Sequence, residues 1–402
     1  MADNGRQTTG GRVTPVTWRG HARKVANHAI RIPGILLLRT IRALPLMQSR
    51  VIPWLLRQEI DQVPAYRKVA MMRQALKLAT KGDGPILVGP WLSEVGYEVL
   101  YWLPFLRWAL DDFGIPRERC VAVTRGGAGV WYADVATRSV DVFDLMTVEE
   151  FRPKNEARWM DRGSQKQMVP EHLDREILRR AKLTLDLGKV PVLHPSIMYQ
   201  LFRYYWYDKG SYGVLGKHMI YASLPPLPPD AAVTRGLPRD YVAVRFYFRD
   251  SFPDTPENRD LVRRTIETIA AETPVVLLNT GLELDDHADF DPGTGAGIHR
   301  IDHLMTPSNN LAVQSHVVAG ARGLVGTYGG LAYLGPSYGV PTVALYSHSE
   351  GLLAPHVDIT HRLSNELGTP LVLLHTRDLD VVGTLVGVAG ASRRVARTVS
   401  HT

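Results

Sequence analysis

The sequence predicts an α/β protein built from two doubly wound, Rossmann-like domains behind a basic helical leader. Three observations carry that expectation. Short apolar runs of strand type alternate with amphipathic runs of helix type from residue 85 to residue 375, the pattern of parallel sheets covered by helices. A stiff stretch, Leu224-Pro-Pro-Leu-Pro-Pro229, interrupts the alternation and reads as the connector between two halves. Charge is unevenly placed: residues 1–81 hold 15 Lys and Arg against 3 Asp and Glu, a net +12, while the remaining residues hold 32 against 37, a net −5. The expected boundaries are a disordered polar tail (1–18), the leader (19–81), an N-terminal domain (82–229) and a C-terminal domain (230–402).

The elements follow in order. In the leader, Arg31, Arg39, Arg42, Arg50 and Arg57 alternate with Leu and Ile clusters, and Pro33, Pro45 and Pro53 are expected to divide it into short helices. No apolar run there reaches the ~20 residues that span a bilayer. No long apolar segment precedes a small-residue cleavage site either, so no secretory signal is expected. Two readings stay open: the leader lies on an anionic membrane surface through residues 19–81, or it packs on the body. Nucleic-acid binding is not expected, because the body is acidic and shows no aromatic–basic module.

In the first domain, 85–89 reads as a strand, 96–113 as a helix that tolerates Pro104, 119–124 as a second strand, Asp141–Leu145 as a third, and 171–187 as a helix. Residues 199–221 are rich in tyrosine and carry no clear period. In the second domain, Tyr241–Phe248 reads as one strand. A helix then opens at Thr255 or Pro256, a strand covers 273–279, a helix covers 307–320, and 372–375 is the last strand, with Asp378 capping a final helix. The chain has 402 residues, 45% of them hydrophobic and 22% charged, as in a soluble globular protein of two domains. Its single cysteine, Cys120, excludes an internal disulfide and a multi-cysteine zinc site. It opens the run Cys120-Val-Ala-Val123, so it is expected as a buried strand residue in a cytoplasmic protein.

The richest stretch is 317–346. It reads as helix end, strand, the glycine turn Gly326-Thr-Tyr-Gly-Gly330, a helix over 331–338, and a strand after Pro341. A glycine turn entering a helix aims N–H groups and the positive dipole end at one point, where phosphate binds. The alternative is an ordinary αβ repeat whose glycines only permit close packing. Arg245 lies inside an apolar strand and Arg249 at its carboxyl end. Burying arginine is costly unless it meets an anion, and guanidinium suits phosphate. Their even separation places both on one side of a strand; a structural pair with Asp250, Asp254 or Glu257 is the other reading. Glu94 lies in the turn before the first helix and Glu98 one helical turn later on the same face, with Ser93 as N-cap; because the helix dipole alone favours carboxylates there, a capping role for Glu94 and a place on a solvated face for Glu98 are the other readings.

This pattern resembles the GT-B glycosyltransferases, in particular the donor-binding half of the heptosyltransferase-like branch, over roughly residues 85–390. In that family a small-residue turn before the helix holds the diphosphate of a nucleotide-sugar. The resemblance implies a donor site at Arg245, Arg249, Thr327, Tyr328, Gly329 and Gly330, with His348 and Glu350 of the following loop near ribose or phosphate. It implies an acceptor side at Ser93, Gly96, Tyr97 and Glu98, and Glu94 as catalytic base. The implied activity is a metal-independent hexosyl or related transfer from a nucleotide-diphospho-sugar to a glycan or lipid-linked hydroxyl, with no cofactor beyond the donor. The location is cytoplasmic or peripheral on the inner membrane face. The chain departs from the family in carrying Thr-Tyr-Gly-Gly where an Asp/Ser-Gly-Pro type of turn is usual, without a neighbouring histidine. Two other classes fit: a non-catalytic peripheral membrane protein on the same scaffold, and a pyruvyl-type sugar-modifying transferase.

Other motifs lack their context. Gly335-Pro-Ser337-Tyr-Gly339 ends a helix instead of following a strand. Gly293-Thr-Gly-Ala-Gly297 follows an acidic stretch, Asp289-Phe-Asp291 reads as loop, and His299 and His303 lack the glutamate of a zinc helix.

Overall fold

The computed structural model describes residues 52–162, 165–207, 211–282 and 288–381. Expectations for the tail, most of the leader and a helix beyond residue 381 fall outside the described residues. The chain divides into two units, Met1–Val63 and Pro64–Thr402. Of the first, the described part is helical backbone from Ile52. Of the prolines expected to divide the leader, Pro33 and Pro45 fall outside the described residues, and helix α1 (Ile52–Ala79) begins one residue before Pro53. Pro53 lies in its first turn, where a missing N–H is tolerated. From Pro64 onward α1 belongs to the second unit, where Ala65, Met72 and Leu76 are buried in one stripe at helical spacing.

The N-terminal sheet is fully parallel in the order β3-β2-β1-β4: β1 (Ile86–Val88), β2 (Cys120–Thr124), β3 (Arg138–Asp141) and β4 (Val192–Leu193). The expected third strand is displaced. Val142–Leu145 is a helical turn, and Asp141 ends β3 and caps that turn by accepting from the Phe143 amide at 3.0 Å. The first helix bends through three forms: an α turn (Val95–Tyr97), a π turn (Glu98–Trp102) and α2 (Leu103–Asp112). Pro104 cannot donate to the Leu100 carbonyl; the Tyr221 hydroxyl approaches that oxygen instead, at 3.4 Å. Sequence periodicity missed α3 (Val148–Arg162), found α4 (His172–Thr184), and missed α5 (Ser196–Trp206) in the tyrosine-rich stretch. In α5 the rings of Tyr199, Phe202, Tyr205 and Trp206 recur at helical spacing and are buried.

The C-terminal sheet has six parallel strands in the order β12-β11-β10-β5-β7-β9. They are β5 (Val242–Arg245), β7 (Val275–Leu277), β9 (Ile298–Arg300), β10 (Gly323–Thr327), β11 (Thr342–Tyr346) and β12 (Leu371–His375). The single strand expected over 241–248 breaks after Arg245. Tyr247–Phe248 forms β6, which leaves the main sheet to pair antiparallel with β8 (Ala288–Asp289). Helices α6 (Pro256–Glu272, capped by Thr255), α7 (Asn310–Gly320) and α8 (Ala354–Leu367) cover the sheet. The helix expected over 331–338 is two short pieces, a 3-10 turn (Gly330–Tyr333) and an α turn (Leu334–Ser337), so its dipole is weaker than a full helix would give.

Alternation along the strands sorts side chains onto two faces. On the N-terminal sheet, Leu87, Val121 and Val123 point one way, with Leu173 and Ile177 of α4 in the same cluster. Ile86, Val88, Cys120 and Ala122 point the other way. On the C-terminal sheet, Val242, Val244 and Val325 form their own cluster, while Ala243, Val276, Leu324 and Ala344 join the cluster of Ile86 and Val88. One apolar core therefore runs through both domains. Polar contacts reinforce it: Trp131 donates to Ser315 at 2.8 Å, and the Leu311 amide donates to the Gly126 carbonyl at 2.7 Å. A shared core of this kind holds two domains in one arrangement. Cys120 is buried in β2 as expected, and burial pushes its thiol up to about 11. Among the described residues, no helix is long and apolar enough to cross a membrane.

Candidate active site

Doubly wound sheets leave their ligand crevice at the carboxyl ends of the strands. Here the loops after β1, β2, β5 and β10 all arrive at one cleft. At its floor the two glycine turns meet: a Cβ on Gly96 would lie 3.1 Å from the Gly330 Cα, and one on Gly330 would lie 2.8 Å from the Gly96 nitrogen. Only glycine at both positions lets the two domains approach this closely. Two hollows adjoin this contact, of about 510 and 670 Å³, both open to solvent, and Glu94, Gly96, Arg249 and Gly330 line both.

Glu94 is the N-cap residue of the first helical turn, yet its side chain makes no capping bond. Its carboxylate is half-buried and lines the cleft. The first hollow also takes Arg125 from the end of β2, Gln165, and Arg245, Tyr247 and Arg249 from the opposite domain. Arg245 is already paired: it meets Asp289 at 3.0 Å and donates to Gln314 at 2.8 Å. The acids proposed from sequence as its partners are not the ones it meets. Arg249 and Arg125 have no carboxylate within ion-pair distance among the described residues, and the Arg249 Nε is buried without a hydrogen-bond partner. Two guanidinium groups lining one half-enclosed space favour an anion there.

The second hollow is walled by rings. Tyr97, Tyr328, Tyr333 and His356 line it, with Lys166 above the faces of Tyr97 (5.1 Å) and Trp206 (5.3 Å). His356, at the start of α8, holds the two domains together. Its Nε2 is 2.6 Å from the Tyr97 hydroxyl and its Nδ1 3.2 Å from that of Tyr101. Burial, then Lys166 and Arg249, lowers its pKa to about 3, so it is neutral at physiological pH. Burial raises the Tyr97 hydroxyl well above its usual range.

Several expected site residues lie elsewhere. Thr327 is buried, and its hydroxyl donates to the Tyr247 carbonyl (2.9 Å) and accepts from the Tyr247 amide (3.1 Å); it fixes the turn and does not line the cleft. The Tyr328 amide is consumed by the Leu345 carbonyl at 2.8 Å, so this residue lines the second hollow without offering it an N–H. Gly329 and Gly330 do line the cleft. A Cβ on Gly329, at φ +156°, would sit 2.0 Å from the Tyr247 hydroxyl oxygen and 2.8 Å from Arg249. His348 and Glu350 are exposed and line neither hollow; the 3-10 turn Ser349–Gly351 carries them outward and presents Gly351 instead.

On the other side, Ser93 is not the N-cap. It is buried, donating to the Gln165 carbonyl at 3.1 Å and accepting from Tyr199 at 2.7 Å. Glu98 is not on a solvated face. It is buried, accepts from the Tyr132 hydroxyl at 2.5 Å, and has its pKa raised to about 8 by desolvation. The Asp-x-Asp pair is held in ion pairs, Asp289 to Arg245 and Asp291 to Arg300 (2.8 Å). Among the described residues no cluster of His, Cys, Asp and Glu is arranged to hold a metal.

Sequence reasoning missed Arg125, Lys166 and His356. Arg125 carried a signal, since it follows a strand of the sheet as directly as Arg249 does. Lys166 and His356 carried none, because only the folded chain brings them beside Tyr97.

No family model and no curated protein matches the chain. Solved structures align with it at low identity. The glycosyl transferase family 9 protein of Veillonella parvula is 14% identical, covers 77% of this chain and 91% of its own, and gives a TM-score of 0.39. The E. coli heptosyltransferase WaaC with ADP is 14% identical over 76% of this chain and 99% of its own, at 0.40. The E. coli ADP-heptose LPS heptosyltransferase II is 11% identical over 77% and 99%, at 0.42. Likenesses this distant carry no weight for activity.

Proposed function

We propose that this chain is a metal-independent glycosyltransferase that moves a sugar from a nucleotide-diphospho-sugar to a hydroxyl of a glycan or lipid-linked glycan. The observation that carries the reading is a single hollow in which Glu94, free of any capping bond, faces Arg249 and Gly330 of the opposite domain. The donor diphosphate lies against Arg249 and Arg125, where Gly330 admits it close to the backbone. Glu94 takes the proton of the acceptor hydroxyl as that oxygen bonds to the anomeric carbon, a step worth roughly a hundredfold or more. The bond from that carbon to the diphosphate breaks, and the guanidinium groups stabilise the charge that develops on the leaving group.

The test is a thermal-shift panel of UDP-, GDP-, ADP-, CMP- and dTDP-sugars, because a ligand bound to the folded state raises the melting temperature. At least one is expected to do so. Arg249→Ala should weaken that ligand by about 1.5–3 kcal/mol, the scale of a hydrogen bond to a charged group. A flat panel, or an unchanged dissociation constant in a folded Arg249→Ala protein, overturns the reading.

A further inference from the structure

The loop that delivers Glu94 to the cleft is held by side chains from far along the sequence. After β1 the backbone runs Gly89-Pro90-Trp91-Leu92-Ser93 before Glu94. The Trp91 amide donates to the Val123 carbonyl of β2 at 3.1 Å. Gln167 takes the next two groups: its Oε1 accepts from the Leu92 amide (2.9 Å) and its Nε2 donates to the Pro90 carbonyl (2.9 Å). That same Nε2 donates to Asp174 at 2.7 Å, which fixes which end of the amide faces which partner. Arg158 donates to the Leu92 carbonyl (3.1 Å) and to the Gln165 carbonyl (3.1 Å). Gln167 is 1% exposed, Arg158 5% and Asp174 0%, so the bonds of Gln167 to Pro90, Leu92 and Asp174 and that of Arg158 to Leu92 are shielded from water.

We infer that Gln167, braced by Arg158 and Asp174, is a positioning residue for the transfer: it sets the direction in which Glu94 enters the cleft. Two facts leave that direction to the backbone. The Glu94 side chain makes no capping bond of its own, and Gly96 leaves no side chain beyond it to lean on. A buried amide that bridges Pro90 and Leu92 fixes the backbone two residues upstream of the carboxylate. The same segment delivers Gln165 and Lys166 to the two hollows, so clamp and cleft wall form one piece. This inference rests on the reading of Glu94 as the base.

The test replaces Gln167 by Met, which is similar in size and lacks the amide, in the full chain. Hydrogen exchange of the peptide covering Trp91–Glu98 should quicken roughly tenfold or more, with peptides of β10 and β11 unchanged. Release of nucleoside diphosphate from UDP-, GDP- or ADP-glucose should fall roughly ten- to a hundredfold in kcat, with KM for the donor within about twofold, because a displacement near 1 Å costs this much. In a Glu94→Gln background the same substitution should cost less than about twofold more, since it acts through a group already removed. Equal losses in both backgrounds, an effect on KM alone, or unchanged exchange at Trp91–Glu98 overturns the inference. If Glu94→Gln alone leaves turnover intact, the reading of the base fails instead. If the wild type turns over none of the three donors, exchange decides the clamp by itself, and unchanged rates sink it. Gln167→Glu, which keeps the acceptor toward Leu92 and loses the donor toward Pro90, serves if Gln167→Met does not fold; its exchange should quicken in the same peptide.

Discussion

Glu98→Gln tests how the buried acid in the first helix shapes stability. In the folded chain Glu98 keeps its proton up to about pH 8, because burial disfavours the carboxylate. In the unfolded chain it ionises near its ordinary value of 4.5. Between these limits the unfolded state binds fewer protons, so stability is full below about pH 4.5 and declines as pH rises to about 8. At ~1.36 kcal/mol per pKa unit, the whole decline is roughly 4–5 kcal/mol. Glutamine keeps the shape and still accepts from Tyr132, yet it cannot titrate. Urea unfolding of both proteins at pH 5, 7 and 9 is the assay. The two should be close at pH 5, and the variant should be more stable by roughly 3 kcal/mol at pH 7 and 4–5 at pH 9. Other titrating groups, His356 among them, cancel in the difference; Asp141, whose charge helps to raise Glu98, cancels only in part. Parallel pH curves would show that Glu98 is ionised in the folded state, and the argument from burial would fail.

Three further outcomes follow from the cleft and the core. His356 has a folded pKa lowered to about 3, so its contribution is present above pH 6.5 and is lost as pH falls toward 3; His356→Gln should flatten the acid side of the melting-temperature profile between pH 7 and 4. Gly329→Ala places a Cβ 2.0 Å from the Tyr247 hydroxyl; calorimetry should show a loss of about 1–3 kcal/mol or more, and titration should show nucleotide affinity falling with it as Arg249 is displaced. A chain beginning at Lys81 removes Met72 and Leu76 from the core, which costs roughly 3–6 kcal/mol of burial and should appear as a lower urea midpoint. An unchanged midpoint would return that part of α1 to the leader.

Much of the layered architecture was legible because parallel-sheet proteins write it in short range. Buried strands are apolar runs, the helices between them carry a 3.6-residue stripe, and the proline-rich connector falls between the two sheets. Thr255 capped its helix as its hydroxyl predicts. Where the sequence misled, a non-local partner overrode the local pattern. The run 241–248 has the composition of one strand, but Arg245 turns to Asp289 and the last two residues pair with β8. The tyrosine-rich stretch hid α5, because Tyr204, Tyr205, Trp206 and Tyr207 follow one another and the period shows only once burial is known.

Of the residues that line the cleft, the sequence by itself singled out Glu94, Arg249 and the two glycines at its floor, among others. Each is a residue type whose chemistry or missing Cβ demands a particular place: an acid at a helix start, an arginine at a strand end, glycine where two backbones meet. Tertiary structure alone decided the rest. It sent Thr327, Ser93 and Glu98 into the interior, swung His348 and Glu350 outward, and drew in Lys166 and His356. Burial and facing direction depend on what packs against a residue from hundreds of positions away, and one-dimensional spacing holds no record of that.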